Sequence, residues 1–145
     1  MRRLALVLVS IGCIPLGAAA QSAADSAGIR QAALDYIDGW WAGDGDRMAS
    51  ALHPELAKRI MNVDGAGRAF VRDMTASELV RGTRGGGGTA TAAAERRSDV
   101  RILDIFQNAA SVRVDAGGWI DYMHMIRWQG RWVILNVLWE IRRPG

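Results

Sequence analysis

Apolar positions recur at helical spacing from residue 25 to residue 42, where Ile29, Ala33, Tyr36, Ile37 and Trp40 fall on one face. Asp25 and Ser26 can cap this helix, and Gly43 closes it. Asp44 stands where an N-cap is wanted, so a short second helix is predicted over 45–52. His53-Pro54 ends it, because the residue before a proline is pushed out of the α region. Two extended segments follow, 57–63 and 68–73, and the Asp64-Gly65-Ala66-Gly67 link between them reads as a hairpin turn. Thr75 and Glu78 have the spacing of a capping box, in which hydroxyl and carboxylate each satisfy a free backbone N–H. They open a third helix over 76–83. Residues 84–95 hold the four glycines Gly85–Gly88 and read as a flexible link. No Gly-Lys-Ser/Thr follows them, so the segment is not a phosphate-binding loop of that type.

The pattern changes at Asp99. Runs rich in Val, Ile, Trp and Tyr cover 100–106, 111–115, 119–128 and 131–141, parted by Gln107-Asn108, Ala116-Gly117-Gly118 and Gln129-Gly130. Links this short favour antiparallel neighbours, since parallel pairs need long crossovers. Helices first and a meander last is α+β order: a curled antiparallel sheet with three helices covering one face.

A chain of 145 residues, half of them hydrophobic, holds one ordinary domain. Its first twenty residues read as an address. Arg2 and Arg3 precede 17 uncharged positions, Leu4 to Ala20, which end in Ala18-Ala19-Ala20. That layout predicts a secretory signal peptide over 1–20, cleaved before Gln21, and export to the periplasm or the extracellular space. Gly12, Pro15 and Gly17 interrupt the run and argue against a membrane span. Cys13 is the single cysteine; Ser10 stands where a lipoprotein signal has leucine, so Cys13 reads as a spectator lost with the signal. One cysteine also excludes a disulfide framework and a thiolate-rich zinc site. Removal of Arg2 and Arg3 takes the balance from 18 basic against 15 acidic residues to 16 against 15. The mature domain, 21–145, therefore offers no bulk charge for nucleic acid or a membrane surface.

Tyr36-Ile37-Asp38-Gly39-Trp40-Trp41-Ala42-Gly43-Asp44, followed by Ala51-Leu52-His53-Pro54, resembles the opening of the "putative lumazine-binding" branch of the nuclear-transport-factor-2-like superfamily. Met74-Thr75-Ala76-Ser77-Glu78-Leu79-Val80 is similar to the same branch, as is the ending Asp121-Tyr122 … Gly130-Arg131-Trp132-Val133-Ile134-Leu135-Asn136-Val137-Leu138-Trp139. The likeness spans residues 25–142. It implies a cone-shaped α+β barrel of cystatin-like type: a strongly curved sheet wrapped around helices, with a deep pocket at the wide end. The superfamily includes ketosteroid isomerases, dehydratases, polyketide cyclases and non-catalytic binding modules, so the fold leaves function open.

Tyr36 matches the position at which ketosteroid isomerases carry an oxyanion-stabilising tyrosine. Their proton-shuttling carboxylate belongs on the first strand, where this chain has Lys58-Arg59-Ile60-Met61-Asn62, so steroid isomerisation lacks its base. An imidazole can serve as acid or base, so His53 is a second acid–base candidate, with a structural corner as the alternative. Asp121 is the third. On the strand 119–128, Trp119, Asp121, Met123, Met125 and Arg127 share one face, and Ile120, Tyr122, His124, Ile126 and Trp128 share the other. The pattern alone leaves open which face is inward; the Asp-Tyr of the family ending favours Asp121. The candidate catalytic residues are Tyr36, His53 and Asp121, and the candidate ligand-lining set is Tyr36, Trp40, His53, Met61, Asp121, Met123 and Asn136. His53 and His124 are the only imidazoles and lack metal-site spacing, so neither a metal nor another cofactor is expected. Six tryptophans suit a buried core, a dimer interface or a flat apolar ligand. The expected function is binding of a small apolar or aromatic molecule by a secreted homodimer paired through its outer sheet face. The alternatives are an enzyme of isomerase, dehydratase or cyclase type and a non-catalytic dimerisation module.

Overall fold

The computed structural model describes the backbone of residues 16–143 and the side chains of 23–143. Of the segment read as a signal peptide, residues 1–15, Cys13 among them, lie outside the described residues. The elements are α1 (Leu16–Ala42), α2 (Gly45–Ala51), β1 (Leu52–Val63), β2 (Ala69–Thr75), α3 (Ala76–Arg84), a short 3₁₀ turn at Ala93–Glu95, β3 (Asp99–Phe106), β4 (Ala109–Asp115), β5 (Trp119–Trp128) and β6 (Arg131–Ile141). Helix α1 begins nine residues ahead of the expected Asp25, through an alanine-rich stretch that favours helix. No helix among the described residues is long and apolar enough to cross a membrane.

Local signals act as read. Asp44 caps α2, its carboxylate accepting from the N–H groups of Asp46 and Arg47. At the start of α3 the Glu78 N–H donates to the Thr75 hydroxyl at 3.3 Å, and the Thr75 N–H donates to the Glu78 carboxylate at 2.8 Å. In the β1–β2 hairpin the Asp64 carboxylate gathers the N–H groups of Ala66 and Arg68, and Gly67 supplies the positive φ the turn needs.

Six strands form one curved, unclosed sheet in the order β2-β1-β6-β5-β4-β3. The helices pack on its concave face, where Ile29, Ala33, Tyr36 and Ile37 of α1 meet Val112, Val114, Met123, Met125, Ile134 and Val137 in the core. Two differences from the expected meander shape the site. The β1–β6 pairing is parallel, whereas every other neighbour is antiparallel. Strand β2, helix α3, the 3₁₀ turn and strands β3 to β5 lie between these two strands, and that length permits the crossover a parallel pair requires. Strand β1 also starts at Leu52 rather than 57, so His53-Pro54 opens a strand; the register against β6 shifts between Leu52 and Ala57, and Pro54 sits in that irregularity with no ladder N–H to supply.

A second register shift falls on β6 opposite His124/Met125, leaving Leu135 as the extra residue. One added residue reverses which side chains face inward. Trp132 and Ile134 are buried before it, Val137 after it, so the inward set moves from even to odd positions. Tyr122 and Leu138, cross-strand partners on the outer face, are 49% and 60% exposed.

The Gly85–Gly88 segment was expected to be a flexible link on the strength of its glycines; it is a run of turns pressed against Trp40. Gly85 N–H donates to Arg81 O, and Gly87 N–H to Gly82 O. A Cβ on Gly87 would come within 2.3 Å of the Trp40 ring, and one on Gly88 within 2.5 Å. Here glycine serves close approach rather than freedom.

Candidate functional site

A cavity of about 410 Å³ opens between α1, α3 and the concave sheet, lined by Tyr36, Trp40, Lys58, Arg72, Met74, Leu79, Gly118, Trp119, Trp139 and Ile141. Each wall follows from its element. Tyr36 and Trp40, four residues apart, are neighbours on the inner side of α1. Leu56, Lys58 and Ile60 alternate inward along β1. Trp139 and Ile141 come from the part of β6 beyond the Leu135 bulge, on the odd-numbered face that the bulge turns inward. The walls are mainly hydrocarbon and indole, suited to an apolar or aromatic guest.

Its floor is ionic. Asp121 is fully buried and Lys58 is 5% exposed. Lys58 Nζ donates to Asp121 Oδ1 at 2.5 Å and to the Tyr36 hydroxyl at 2.7 Å. The Tyr36 hydroxyl donates to Asp121 Oδ2 at 3.2 Å, and Trp119 Nε1 donates to the same oxygen at 2.8 Å. The ammonium also lies 4.6 Å from the centre of the Trp139 ring, in cation–π range. Two of the three ammonium protons thus have protein acceptors among the described residues, and the third is left toward the aromatic wall. A buried carboxylate held by two neutral donors and one ammonium makes a floor of zero net charge. Burial pushes the Tyr36 hydroxyl well above the ordinary tyrosine range, and the neighbouring Asp121 charge adds to the rise. Burial lowers the Lys58 ammonium below the ordinary lysine value, outweighing the attraction of Asp121.

The sequence-derived candidates divide accordingly. Tyr36, Trp40 and Asp121 converge: the first two line the cavity and the third closes the floor beneath them. His53 does not join them. Its ring packs edge-on against Trp128, 4.7 Å between centroids, and its Nδ1 accepts the Glu55 N–H. Trp128 is seven residues along β5 from Asp121, about 23 Å of extended chain, which puts acid–base cooperation between His53 and Asp121 out of reach. Met61 lies on the outward side of β1 and is 44% exposed. Met123 faces inward but is packed in the core, without a place on the cavity wall. Asn136 pairs with the exposed His124 and is kept off the wall by the Leu135 bulge. Among the described residues no three His, Cys, Asp or Glu side chains converge as metal ligands.

Lys58 is absent from those candidates although it is the centre of the site. The sequence carried two signals for it: its place at period 2 between the apolar Leu56 and Ile60, and the fact that it is the sole lysine of the chain.

A second hollow of about 580 Å³ adjoins the first and shares Gly118 and Trp119 with it. Its wall includes Arg142, which holds Asp115 at 3.0 Å; Asp115 also accepts the Gly117 N–H.

Solved structures with this architecture carry little sequence likeness to the chain. A nuclear-transport-factor-2-like protein with a cystatin-like fold from Novosphingobium aromaticivorans superposes with a TM-score of 0.65 at 11% identity, covering 94% of both chains. One of unknown function from Shewanella baltica gives 0.62 at 16% identity, covering 84% of this chain and 97% of its own. Another of unknown function, from Silicibacter pomeroyi, gives 0.57 at 15%, covering 88% and 100%. Comparison with curated protein sequences finds no match. The family model described as "Putative lumazine-binding" matches residues 24–140, from the first described turns of side chains on α1 to the last residues of β6, and the chain, with its nuclear-transport-factor-2-like fold, belongs to that family.

Proposed function

We propose that the protein binds a neutral aromatic or apolar small molecule that carries one hydrogen-bond acceptor. The observation behind this reading is the floor of the 410 Å³ cavity, where Lys58 and Asp121 cancel each other's charge beneath walls of Trp40, Trp119 and Trp139. A charged group set on that floor would lose its hydration with the Lys58–Asp121 pair already neutral, and Arg72, the other cation of the wall, stands on the exposed strand β2. A neutral carbonyl, ether or ring nitrogen can instead take the ammonium proton that has no protein acceptor, while its ring stacks on the indoles. Membership of a family described as lumazine-binding supports a small-molecule ligand of this general kind.

Thermal-shift and tryptophan-fluorescence titrations with matched pairs, benzamide against benzoate and quinoline against quinoline carboxylate, test it. The neutral member of each pair raises the melting temperature and the acid does not. Met74→Trp, which fills the cavity from β2, abolishes the shift without unfolding the protein. No shift with any neutral ring compound, or equal shifts in the filled variant, would overturn the reading.

A further inference from the structure

Of the 18 lysine and arginine side chains in the sequence, all but one are arginine. Surface ion pairs are all made by arginine: Arg47 with Asp35 and Asp38, Arg59 with Asp73, Arg84 with Asp46, and Arg142 with Asp115. The exception is the one cation buried against the cavity. For holding a buried carboxylate alone, guanidinium is the better group, since it never gives up its proton and can bind two oxygens at once. An amine brings something else: a nitrogen that can lose its proton and then has a lone pair.

We propose that Lys58 forms a Schiff base with an aromatic or apolar aldehyde or ketone held in the 410 Å³ cavity. The proposal rests on the small-molecule reading above and narrows its ligand class to carbonyl compounds. Around Nζ stand the parts such a condensation uses. Asp121 Oδ1, at 2.5 Å, is placed to take the ammonium proton. The Tyr36 hydroxyl, at 2.7 Å, is placed to turn its proton toward a carbonyl oxygen. The wall of Trp139, Trp119, Met74 and Leu79 keeps the reacting carbon in an apolar setting, where the dehydrated product is favoured over its hydrolysis. Burial on β1 already loosens the ammonium proton. The charged or titratable groups facing Nζ are Tyr36 from α1, Asp121 from β5 and, across the cavity, Arg72 from β2; β6 and α3 present Trp139 and Leu79.

The step balances without an added reagent. Lys58 passes one proton to Asp121, and its free amine adds to the carbonyl carbon as the C=O π bond opens. A second amine proton moves to the oxygen, giving a neutral carbinolamine. Asp121 then returns its proton to the hydroxyl, which leaves as water while the C=N bond forms. One ammonium and one carbonyl become one iminium and one water. The iminium keeps the positive charge, so the buried carboxylate never loses its counter-charge.

Cinnamaldehyde with sodium cyanoborohydride, read by intact mass and peptide mapping, tests the proposal on the folded chain. The expected result is one reduced adduct on the peptide that contains Lys58, formed at least tenfold faster than any adduct on the α-amino group. Excess cinnamyl alcohol, which has the same skeleton without the carbonyl, suppresses it. Lys58→Arg keeps the cation and removes the adduct. Should that variant fail to fold, suppression by the alcohol in the unaltered protein still decides the matter. Labelling confined to the α-amino group, or labelling of Lys58 that the alcohol does not suppress, would overturn the proposal. If the alcohol raises the melting temperature while the aldehyde leaves Lys58 unlabelled, the Schiff base fails and the binding reading stands. If neither compound shifts melting and no adduct forms, both fail.

Discussion

Two aspartates flank the turn between β4 and β5 and meet opposite surroundings. Asp115, at the end of β4, has a side chain 12% exposed and is held by Arg142, by Arg113 and by the Gly117 N–H. Asp121, two residues into β5, is wholly buried and held by Lys58, Tyr36 and Trp119. Both carboxylates accept several donors, so hydrogen-bond satisfaction does not separate them. What differs is whether the partners can change protonation state. Arginine fixes Asp115 as a clamp between the turn and the chain end at Arg142. Lysine and tyrosine give Asp121 two neighbours that can exchange a proton with it. Two well-satisfied carboxylates thus sit six residues apart, distinguished by partner type and burial rather than by their own identity.

The largest expected effect comes from removing one half of the buried pair. Lys58→Met leaves Asp121 charged and unpaired in the core, at a cost of about 3–5 kcal/mol in urea denaturation. Lys58→Met with Asp121→Leu recovers most of that loss, because two apolar side chains replace two charges. A double variant no more stable than the single one would show that the pair is not coupled.

A smaller effect is expected at alkaline pH. The folded-state Tyr36 hydroxyl is held above the ordinary tyrosine value, so its contribution to stability is present in full below about pH 10 and is lost as pH rises through the folded value. Lys58 acts in the opposite direction: with its folded value lowered, the cost of the buried ammonium is present at lower pH and is relieved as pH climbs toward the ordinary lysine value. Replacing the other tyrosine, Tyr122→Phe, leaves Tyr36 as the sole source of phenolate absorbance at 295 nm. That absorbance should appear only above the ordinary tyrosine range, together with loss of the near-ultraviolet circular dichroism. Ionisation near pH 10 with the fold intact would contradict the buried geometry.

The smallest effect belongs to Asp115. Arg142→Ala removes one of two guanidiniums from a half-exposed pair and costs about 1 kcal/mol or less. Hydrogen bonds from Gly117 and Arg142 hold the Asp115 carboxyl below the usual carboxylate value, overcoming a desolvation that acts the other way. Its stabilisation is therefore present above the ordinary aspartate value and lost as pH falls through the lowered one. In Arg142→Ala a carboxyl NMR titration should show Asp115 moving up toward the ordinary value. No change would assign the lowering to the Gly117 N–H and Arg113 alone.

Much of the fold was readable locally. The Asp44 cap, the Thr75/Glu78 box, the Asp64 turn and the strand runs after Asp99 each depend on residues a few positions apart. Tyr36 followed from helical spacing, and the burial of Asp121 agrees with two-residue alternation on β5. What escaped reading is non-local. The parallel β1–β6 pairing and the contact of His53 with Trp128 depend on partners about 75 or more residues distant, and the Leu135 bulge that turns Asn136 away depends on its register against β5. Gly87 and Gly88 were legible as flexible but not as a seat for Trp40, which lies more than forty positions earlier. Lys58 escaped for a different reason. A lysine in a strand is ordinarily solvated, and the 58–62 segment stands out by the carboxylate it lacks rather than by the amine it has.

Trp119 joins the two hollows to the buried charge. Its indole is a partition with open space on both sides, and its one N–H is tethered to Asp121. The same indole packs against Trp41, 5.1 Å between ring centroids, so its position is set both by the carboxylate and by the inner face of α1. A guest that displaces this indole from either chamber therefore takes one donor away from the buried carboxylate.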